Sequence, residues 1–166
     1  NTVAIRHCMQ ETLAELQAET QLQAQRITLM KLACDADIVI DLHCDWEAVL
    51  HLYTADPLWA DVEPLARYMG SETSLLATES GGNPFDEACS QTWYRLAAEF
   101  SGQFPIAPNG CVSITVELRG QGEVSYEQAD ADASAIVAYL GCEGYIGAPV
   151  LPLPDLRYPA TPLAGV

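Results

Sequence analysis

The pattern of apolar and polar positions along the chain predicts helices that alternate with strands. The stretch 2–34 contains no Pro or Gly and is rich in Ala, Leu, Gln and Glu, so we predict helix throughout. Its apolar residues recur only loosely at helical spacing, which leaves one long helix and two shorter helices both open. The segment 36–43, "ADIVIDLH", predicts a buried strand of the parallel type, because Ile38, Val39 and Ile40 place apolar side chains on both faces.

Turn residues separate the remaining predicted elements. After the first strand, "WEAVLHLYT" fits either a second strand or an extended loop. "DPLWADVEPLARYMG" predicts a helix that ends at Gly70, and a Gly-Gly-Asn-Pro turn precedes a helix that runs to about Phe100. "GCVSITVELRGQG" predicts the second clear strand, and "SYEQADADASAIVAYLGCEGYI" predicts the last helix, ending near Gly141 or Gly144. This alternation of helices and apolar strands predicts an α/β fold.

Length and proline content suggest how the chain is organised. A chain of 166 residues with 49% apolar residues suits one domain with a sizeable core. Its last 18 residues hold five of the ten prolines and cannot continue a helix or a central strand. We therefore expect a folded portion over residues 1–148 and a proline-rich linker over residues 149–166. Because the chain also lacks an initiator Met, we expect it to be part of a longer protein.

Charge and cysteine content exclude several classes of partner. The formal net charge of −16, from 23 acids against 7 Lys and Arg, repels nucleic acid phosphates and anionic membranes, so we expect neither as a partner. No apolar run approaches the roughly 18 to 20 residues that span a bilayer, which predicts a soluble protein. The six cysteines are too scattered for metal knuckles and too few for a disulfide scaffold. Reduced thiols in the cytoplasm are the prediction.

His43 is the first candidate for chemistry. It lies at the C-terminal end of the first predicted strand, and in open α/β sheets this edge binds ligands. Asp41 or Asp45 would accept a hydrogen bond from one ring nitrogen, as happens around metal-bound histidines. The alternative is a histidine at a strand end that faces only solvent.

Glu117 is the second candidate, within the strand "SITVELRG". A carboxylate among β-branched residues carries a large desolvation cost unless it has a partner or faces a cleft. In a cleft it would suit a general base. The alternative is a Glu paired with Arg119, because residues i and i+2 of a strand share a face. We expect His43 and Glu117 at the C-terminal edge of adjacent or nearly adjacent strands, facing a shared cleft.

His51 has two interpretations. If "EAVLHLYT" is extended, His51 approaches the same cleft as His43, where it would bind substrate. If a turn separates the two histidines, the argument from even spacing is lost, and His51 is partly buried without a role in the site.

"DLH", followed 74 residues after its histidine by the glutamate of "TVELR", resembles the zinc carboxypeptidase superfamily and within it the succinylglutamate desuccinylase/aspartoacylase family. The resemblance covers roughly residues 36–146. It implies a mixed, largely parallel sheet flanked by helices, as an incomplete catalytic domain over residues 1–148. It also implies Zn²⁺ as cofactor, His43 as a zinc ligand and Glu117 as the glutamate that activates water.

The chain departs from the family pattern at one motif. The family holds its zinc with a His-x-x-Glu pair as well as the later histidine, and no His-x-x-Glu occurs in this sequence. In the family the pair precedes the "DLH" strand, so we expect it upstream of Asn1. We likewise expect a small C-terminal domain to follow the linker 149–166.

The resemblance predicts zinc-dependent hydrolysis of an amide bond, in a full-length form, on an N-acyl amino acid or peptide. The isolated chain would be inactive. Arg119 would pair with a substrate carboxylate, or else form an ordinary salt bridge, and the loop 79–85 would line the cleft. The alternatives are a carboxypeptidase-like metallopeptidase and a non-catalytic binding or scaffold member of the fold. Whether the protein forms a homo-oligomer is left open by the sequence.

Overall fold

The computed structural model describes residues 1–100 and 102–162 of the chain. Its helices are α1 (Thr2–Glu15), α2 (Gln21–Ala33), α3 (Trp59–Met69), α4 (Phe85–Phe100) and α5 (Tyr126–Cys142). Its strands are β1 (Ile38–Asp45), β2 (Leu50–Thr54), β3 (Thr73–Leu76), β4 (Val112–Gly120) and β5 (Ala160–Pro162). A short 3₁₀ turn, Asp56–Leu58, leads into α3.

The five described strands form one mixed sheet in the order β1-β4-β2-β3-β5. The pairs β1/β4, β2/β3 and β3/β5 are parallel, and only β2/β4 is antiparallel. The prediction of an α/β fold with a mixed, largely parallel sheet is confirmed. The strongly apolar strand β1 is at one edge, and its partner β4 lies inside the sheet.

Helices cover both faces of the sheet. On one face, α3 and α5 pack against the even-numbered residues of β4, and the main core is built there around Leu52, Leu65, Ile114 and Tyr139. On the other face, α4 packs on β1 and β4, with α1 and α2 beyond it, around Trp93 and Cys111. The second face is only partly filled, and this leaves room for a cleft.

The predicted continuous helix over 2–34 is divided in two. Thr20 caps the N-terminus of α2. Its hydroxyl accepts a hydrogen bond from the backbone N–H of Gln23, and the Gln23 side chain accepts one from the backbone N–H of Thr20. This reciprocal pair fixes the start of α2. The prediction of helix throughout is therefore wrong between the two helices, and the alternative of two shorter helices is correct.

The proline-rich segment runs along α3 and then joins the sheet. Tyr68 donates a hydrogen bond to the carbonyl of Leu151 at 2.7 Å, and Ala160–Pro162 pairs with β3 at the edge of the sheet. An edge position tolerates proline because one side of the strand needs no N–H donor. The division into 1–148 and 149–166 stays a prediction.

Candidate active site

β1 carries two side chains of the candidate site, Asp41 and His43. Asp41 and His43 are two residues apart on an extended strand, so they lie on the same face. His43 Nε2 lies 2.9 Å from Asp41 Oδ2, and this contact makes Nε2 the donor and leaves the lone pair on Nδ1. The hydrogen bond to Asp41 raises the pKa of His43, against the opposing effect of desolvation. Asp45 instead accepts a hydrogen bond from the backbone N–H of Trp46.

Strand register places three of the candidates in one row. Glu117 on β4 is the register partner of His43 on β1 and also of His51 on β2. Register partners on adjacent strands project to the same face. The prediction that His43 and Glu117 lie at the C-terminal ends of neighbouring strands and face one cleft is confirmed.

The cleft in front of this row has a volume of about 370 Å³. Its wall combines the sheet, the loop after β3 and the first turn of α4. It is lined by Asp41, His43, Tyr53, Thr54, Leu75, Ala77, Ser80, Pro84, Phe85, Asp86, Glu87, Thr115 and Glu117. The prediction that the loop 79–85 lines the cleft is confirmed for Ser80, Pro84 and Phe85. Gly81, Gly82 and Asn83 all have positive φ, as the predicted Gly-Gly-Asn-Pro turn requires.

Glu117 has a carboxylate oxygen available for chemistry. Its Oε2 is buried and has no hydrogen-bond partner among the described residues. An unpaired buried acceptor is costly, so a position of this kind suits a ligand, a water or a proton. Tyr53, which lines the cleft nearby, has a pKa raised by burial and then by Glu117 and Asp45. Its hydroxyl therefore stays protonated at neutral pH and can donate to a bound molecule.

Two acids of the cleft were missed by sequence reasoning, Asp86 and Glu87 in the first turn of α4. Both are more than nine-tenths buried. Glu87 Oε1 accepts hydrogen bonds from the backbone N–H of Ser80 at 2.7 Å and from its hydroxyl, which ties the loop to the helix. Burial raises the pKa of Asp86, and the negative charges of Glu87 and Asp41 add to the effect. Acids in the first turn of a helix ordinarily signal only the helix dipole, so the sequence offered no distinguishing sign.

His51 lies at the β2 end of the row and is not among the residues that line the cleft. The residue is buried, and its Nδ1 donates a hydrogen bond to the Val49 carbonyl at 2.8 Å. Its ring packs edge-on against Tyr53, with ring centroids 5.4 Å apart. A turn does separate the two histidines, so their even spacing along the chain does not decide which faces they occupy. Both nevertheless pair with Glu117 on β4, and this places them on one face of the sheet. A substrate-binding role for His51 stays a prediction.

Arg119 is not brought into the cleft. Its guanidinium makes two hydrogen bonds to the carboxylate of Asp132 on α5, at 2.8 and 2.9 Å. The pairing of Glu117 with Arg119 is wrong, because Arg119 has φ of 89° and lies where the β1/β4 register shifts. Two β4 residues, Leu118 and Arg119, lie opposite one residue of β1, and this bulge cancels the rule that i and i+2 share a face.

The described residues fit part of a zinc site. His43 offers Nδ1 while Asp41 holds the other ring nitrogen, which is the usual support of a zinc-bound histidine. Within residues 1–100 and 102–162, no group of three or more His, Cys, Asp or Glu is arranged to hold a metal ion. Zinc needs three or four protein ligands, so His43 would be one of a set completed from outside this part of the chain.

The fold defines a class of α/β proteins with a cleft at the carboxyl ends of β1 and β4. No protein-family model and no curated protein matches the chain. Among solved structures, it is similar to a succinylglutamate desuccinylase/aspartoacylase family protein from Shewanella amazonensis, with 31% identity and a TM-score of 0.83 over 97% of this chain. A protein of the same description from Shewanella frigidimarina has 28% identity and a TM-score of 0.83 over 98%.

The predicted resemblance to the succinylglutamate desuccinylase/aspartoacylase family is thereby confirmed. The chain spans 44% and 43% of the length of the two Shewanella proteins. The succinylglutamate desuccinylase from Chromobacterium violaceum, with 15% identity and a TM-score of 0.54, shares the fold. No helix in the described residues is both long and apolar enough to cross a membrane.

Proposed function

We propose that this chain forms part of the catalytic domain of a zinc-dependent amide hydrolase that removes the acyl group from an N-acyl amino acid. The observation that carries the proposal is the placement of His43 beside Glu117 on adjacent strands, in one cleft, with Glu117 Oε2 buried and unpartnered. The likeness to the two Shewanella proteins supports the same class of reaction.

In the proposed mechanism the protein residues position groups and move a proton. Asp41 holds the His43 ring through Nε2, which leaves Nδ1 as the nitrogen that would bind zinc. Zinc, when bound, supplies Lewis-acid chemistry that makes water easier to deprotonate and stabilises negative charge on oxygen. Glu117 takes the proton from the attacking water and then gives it to the leaving amine nitrogen. Tyr53 and Thr115, on the same wall, orient the substrate by hydrogen bonds.

We further propose that the protein works in the cytoplasm. All six cysteines are unpaired, and Cys34, Cys89 and Cys111 are buried. Unpaired buried thiols suit a reducing compartment.

The test is Glu117→Gln in the full-length protein, with hydrolysis measured on a panel of N-acyl amino acids and short peptides. Gln keeps the shape of the side chain and removes the proton acceptor, so we expect kcat to fall by about 10² to 10⁴ while zinc content and Tm stay close to wild type. The matched control is Glu127→Gln, at an exposed position on α5, which should leave kcat unchanged. A Glu117→Gln protein that holds zinc and keeps near-wild-type kcat would refute the role of Glu117.

A further inference from the structure

The loop between β3 and α4 is exposed over six consecutive residues, 78–83. Gly81, Gly82 and Asn83 at its tip have positive φ, and a Cβ added at either glycine would meet no atom of the described residues within 4 Å. The tip therefore gains little from apolar packing. Its position against the cleft, where Ser80 forms part of the wall, depends on another support.

Two contacts between α4 and this loop lie away from the cleft. The Tyr94 hydroxyl donates a hydrogen bond to the Thr78 carbonyl at 2.8 Å. Arg95 pairs with Glu79 at 3.4 Å, but both side chains are mostly exposed, so this pair contributes little. None of these four residues is among those that line the cleft.

Glu87 on α4 makes the contact that lies in the cleft wall. The residue is 8% exposed, and its Oε1 accepts hydrogen bonds from the backbone N–H of Ser80 at 2.7 Å and from the Ser80 hydroxyl. A buried carboxylate carries a desolvation cost that hydrogen bonds of this kind offset. Because both donors belong to one loop residue, the two bonds fix the loop relative to α4. That helix packs on β1 and β4, the strands of His43 and Glu117.

We infer that Glu87 is a positioning residue, which holds Ser80 and the loop 78–83 at the cleft so that the loop contacts the bound substrate. This inference rests on the proposed function, because the substrate is the N-acyl amino acid on which His43 and Glu117 act. Glu87 acts on substrate binding through Ser80. Its loss should therefore raise KM much more than it lowers kcat.

The test compares Glu87→Met with Glu87→Gln in the zinc-loaded full-length protein. Met keeps the length and the unbranched shape but has no oxygen, whereas the amide oxygen of Gln still accepts hydrogen bonds from Ser80. KM and kcat are measured on a panel of Nα-acetyl amino acids, and Kd for the same compounds is measured by calorimetry in the Glu117→Gln background. We expect Glu87→Met to raise KM and Kd by about tenfold with kcat within about threefold, and Glu87→Gln to recover most of the difference.

Hydrogen exchange of the backbone amides over 77–84 measures the loop itself. Exchange should be faster in Glu87→Met than in wild type, and Ser80→Ala, which removes only the hydroxyl donor and leaves α4 intact, should raise both exchange and KM by a smaller amount. Glu99→Met, at an exposed position on the same helix, is the matched control and should change neither. A variant that is merely less stable loses active molecules and therefore maximal rate, but its KM does not depend on how much enzyme is active.

The outcomes separate this inference from the proposed function. With an active wild type, unchanged KM and Kd in Glu87→Met and Ser80→Ala, or a KM raised as much by Glu87→Gln as by Glu87→Met, overturns the inference and leaves the proposed amidase in place. If wild type binds a compound of the panel without hydrolysing it, weaker binding and faster exchange in Glu87→Met support the inference and count against the amidase. Neither hydrolysis nor binding by wild type overturns both.

Discussion

Asp41 determines what His43 can do, because its carboxylate fixes both the orientation of the ring and the nitrogen that carries the proton. The Nε2 to Oδ2 distance is 2.9 Å, and the two side chains are 49% and 28% exposed. With Nε2 engaged, the ring can serve a metal through Nδ1 only. The pair is therefore the most directly testable feature of the site.

We predict that in the metal-free full-length protein the pKa of His43 lies above its ordinary value of 6.5. The largest cause is the hydrogen bond to Asp41, so Asp41→Asn should lower this pKa. NMR titration of the imidazole signals measures both values. The control is Asp45→Asn, since Asp45 is bonded to the Trp46 N–H and should leave the His43 pKa nearly unchanged.

The pair of His43 and Asp41 also makes the stability of the fold depend on pH in a predictable direction. Because the folded-state pKa of His43 is raised, its stabilisation is complete below about pH 6.5 and is lost as the pH rises through the folded-state pKa. The effect should be modest, since the His43 side chain is half exposed and solvent screens it. A His43 pKa in wild type that is not raised, or one that Asp41→Asn leaves in place, would contradict this account.

Among single residues, the sequence could predict site residues whose type is unusual for their position, but not those whose type is common there. Glu117 was conspicuous because an acid among β-branched residues needs a reason, and His43 because it ends a buried strand. Asp86 was inconspicuous because an acid near a helix start is common. Only the packing of α4 against β1 shows that its carboxylate is buried in the cleft wall.

Among the elements, the bulge in β4 has the largest consequence for the site. Glu117 keeps its register with His43 and faces the cleft, whereas the bulge that follows it directs Arg119 to α5, although the two residues are only two apart. A strand pattern alone cannot reveal such a shift, because the extra residue depends on the register with β1 and on the positive φ of Arg119. The short strands β3 and β5 were missed for a related reason, since segments of four and three residues carry too little periodicity.

We predict that Arg119→Gln lowers the free energy of unfolding by about 1 to 3 kcal/mol, because it leaves the mostly buried carboxylate of Asp132 without its two charged hydrogen bonds. KM for whichever substrate the wild type hydrolyses should not change, since Arg119 lies outside the cleft. Urea unfolding and steady-state kinetics on the same samples measure the two quantities.

Asp132→Asn and the double variant complete the cycle for this pair. If Arg119 and Asp132 act only on each other, the double variant should lose less stability than the sum of the two single variants. A large rise in KM with unchanged stability in Arg119→Gln would restore the predicted contact between Arg119 and a substrate carboxylate.

For the molecule as a whole, the cleft exists because the two faces of the sheet are covered unequally. The α3 and α5 face is a continuous apolar core, whereas the α4 face has the row of His43, Glu117 and His51 where the strands end. The fold class could be predicted because helix and strand patterns were clear over long segments. The site could be predicted only in part, because the residues that line a cleft are brought together in three dimensions and not by their spacing along the chain.

The last prediction compares zinc binding by the full-length protein and by the 166-residue chain. If His43 is one of several ligands, the full-length protein should hold about one zinc ion per chain, and the 166-residue chain should bind zinc weakly or not at all. In the full-length protein, His43→Ala should lose most of the bound metal. His7→Ala is the matched control, because His7 is exposed on α1 near Glu11, and it should keep the wild-type zinc content. Metal analysis and calorimetry give the zinc content and affinity, and circular dichroism with a cooperative melt shows that each sample is folded. Tight, stoichiometric zinc binding by the folded 166-residue chain, or equal zinc content in wild type and His43→Ala, would show that the ligand set is not the one proposed.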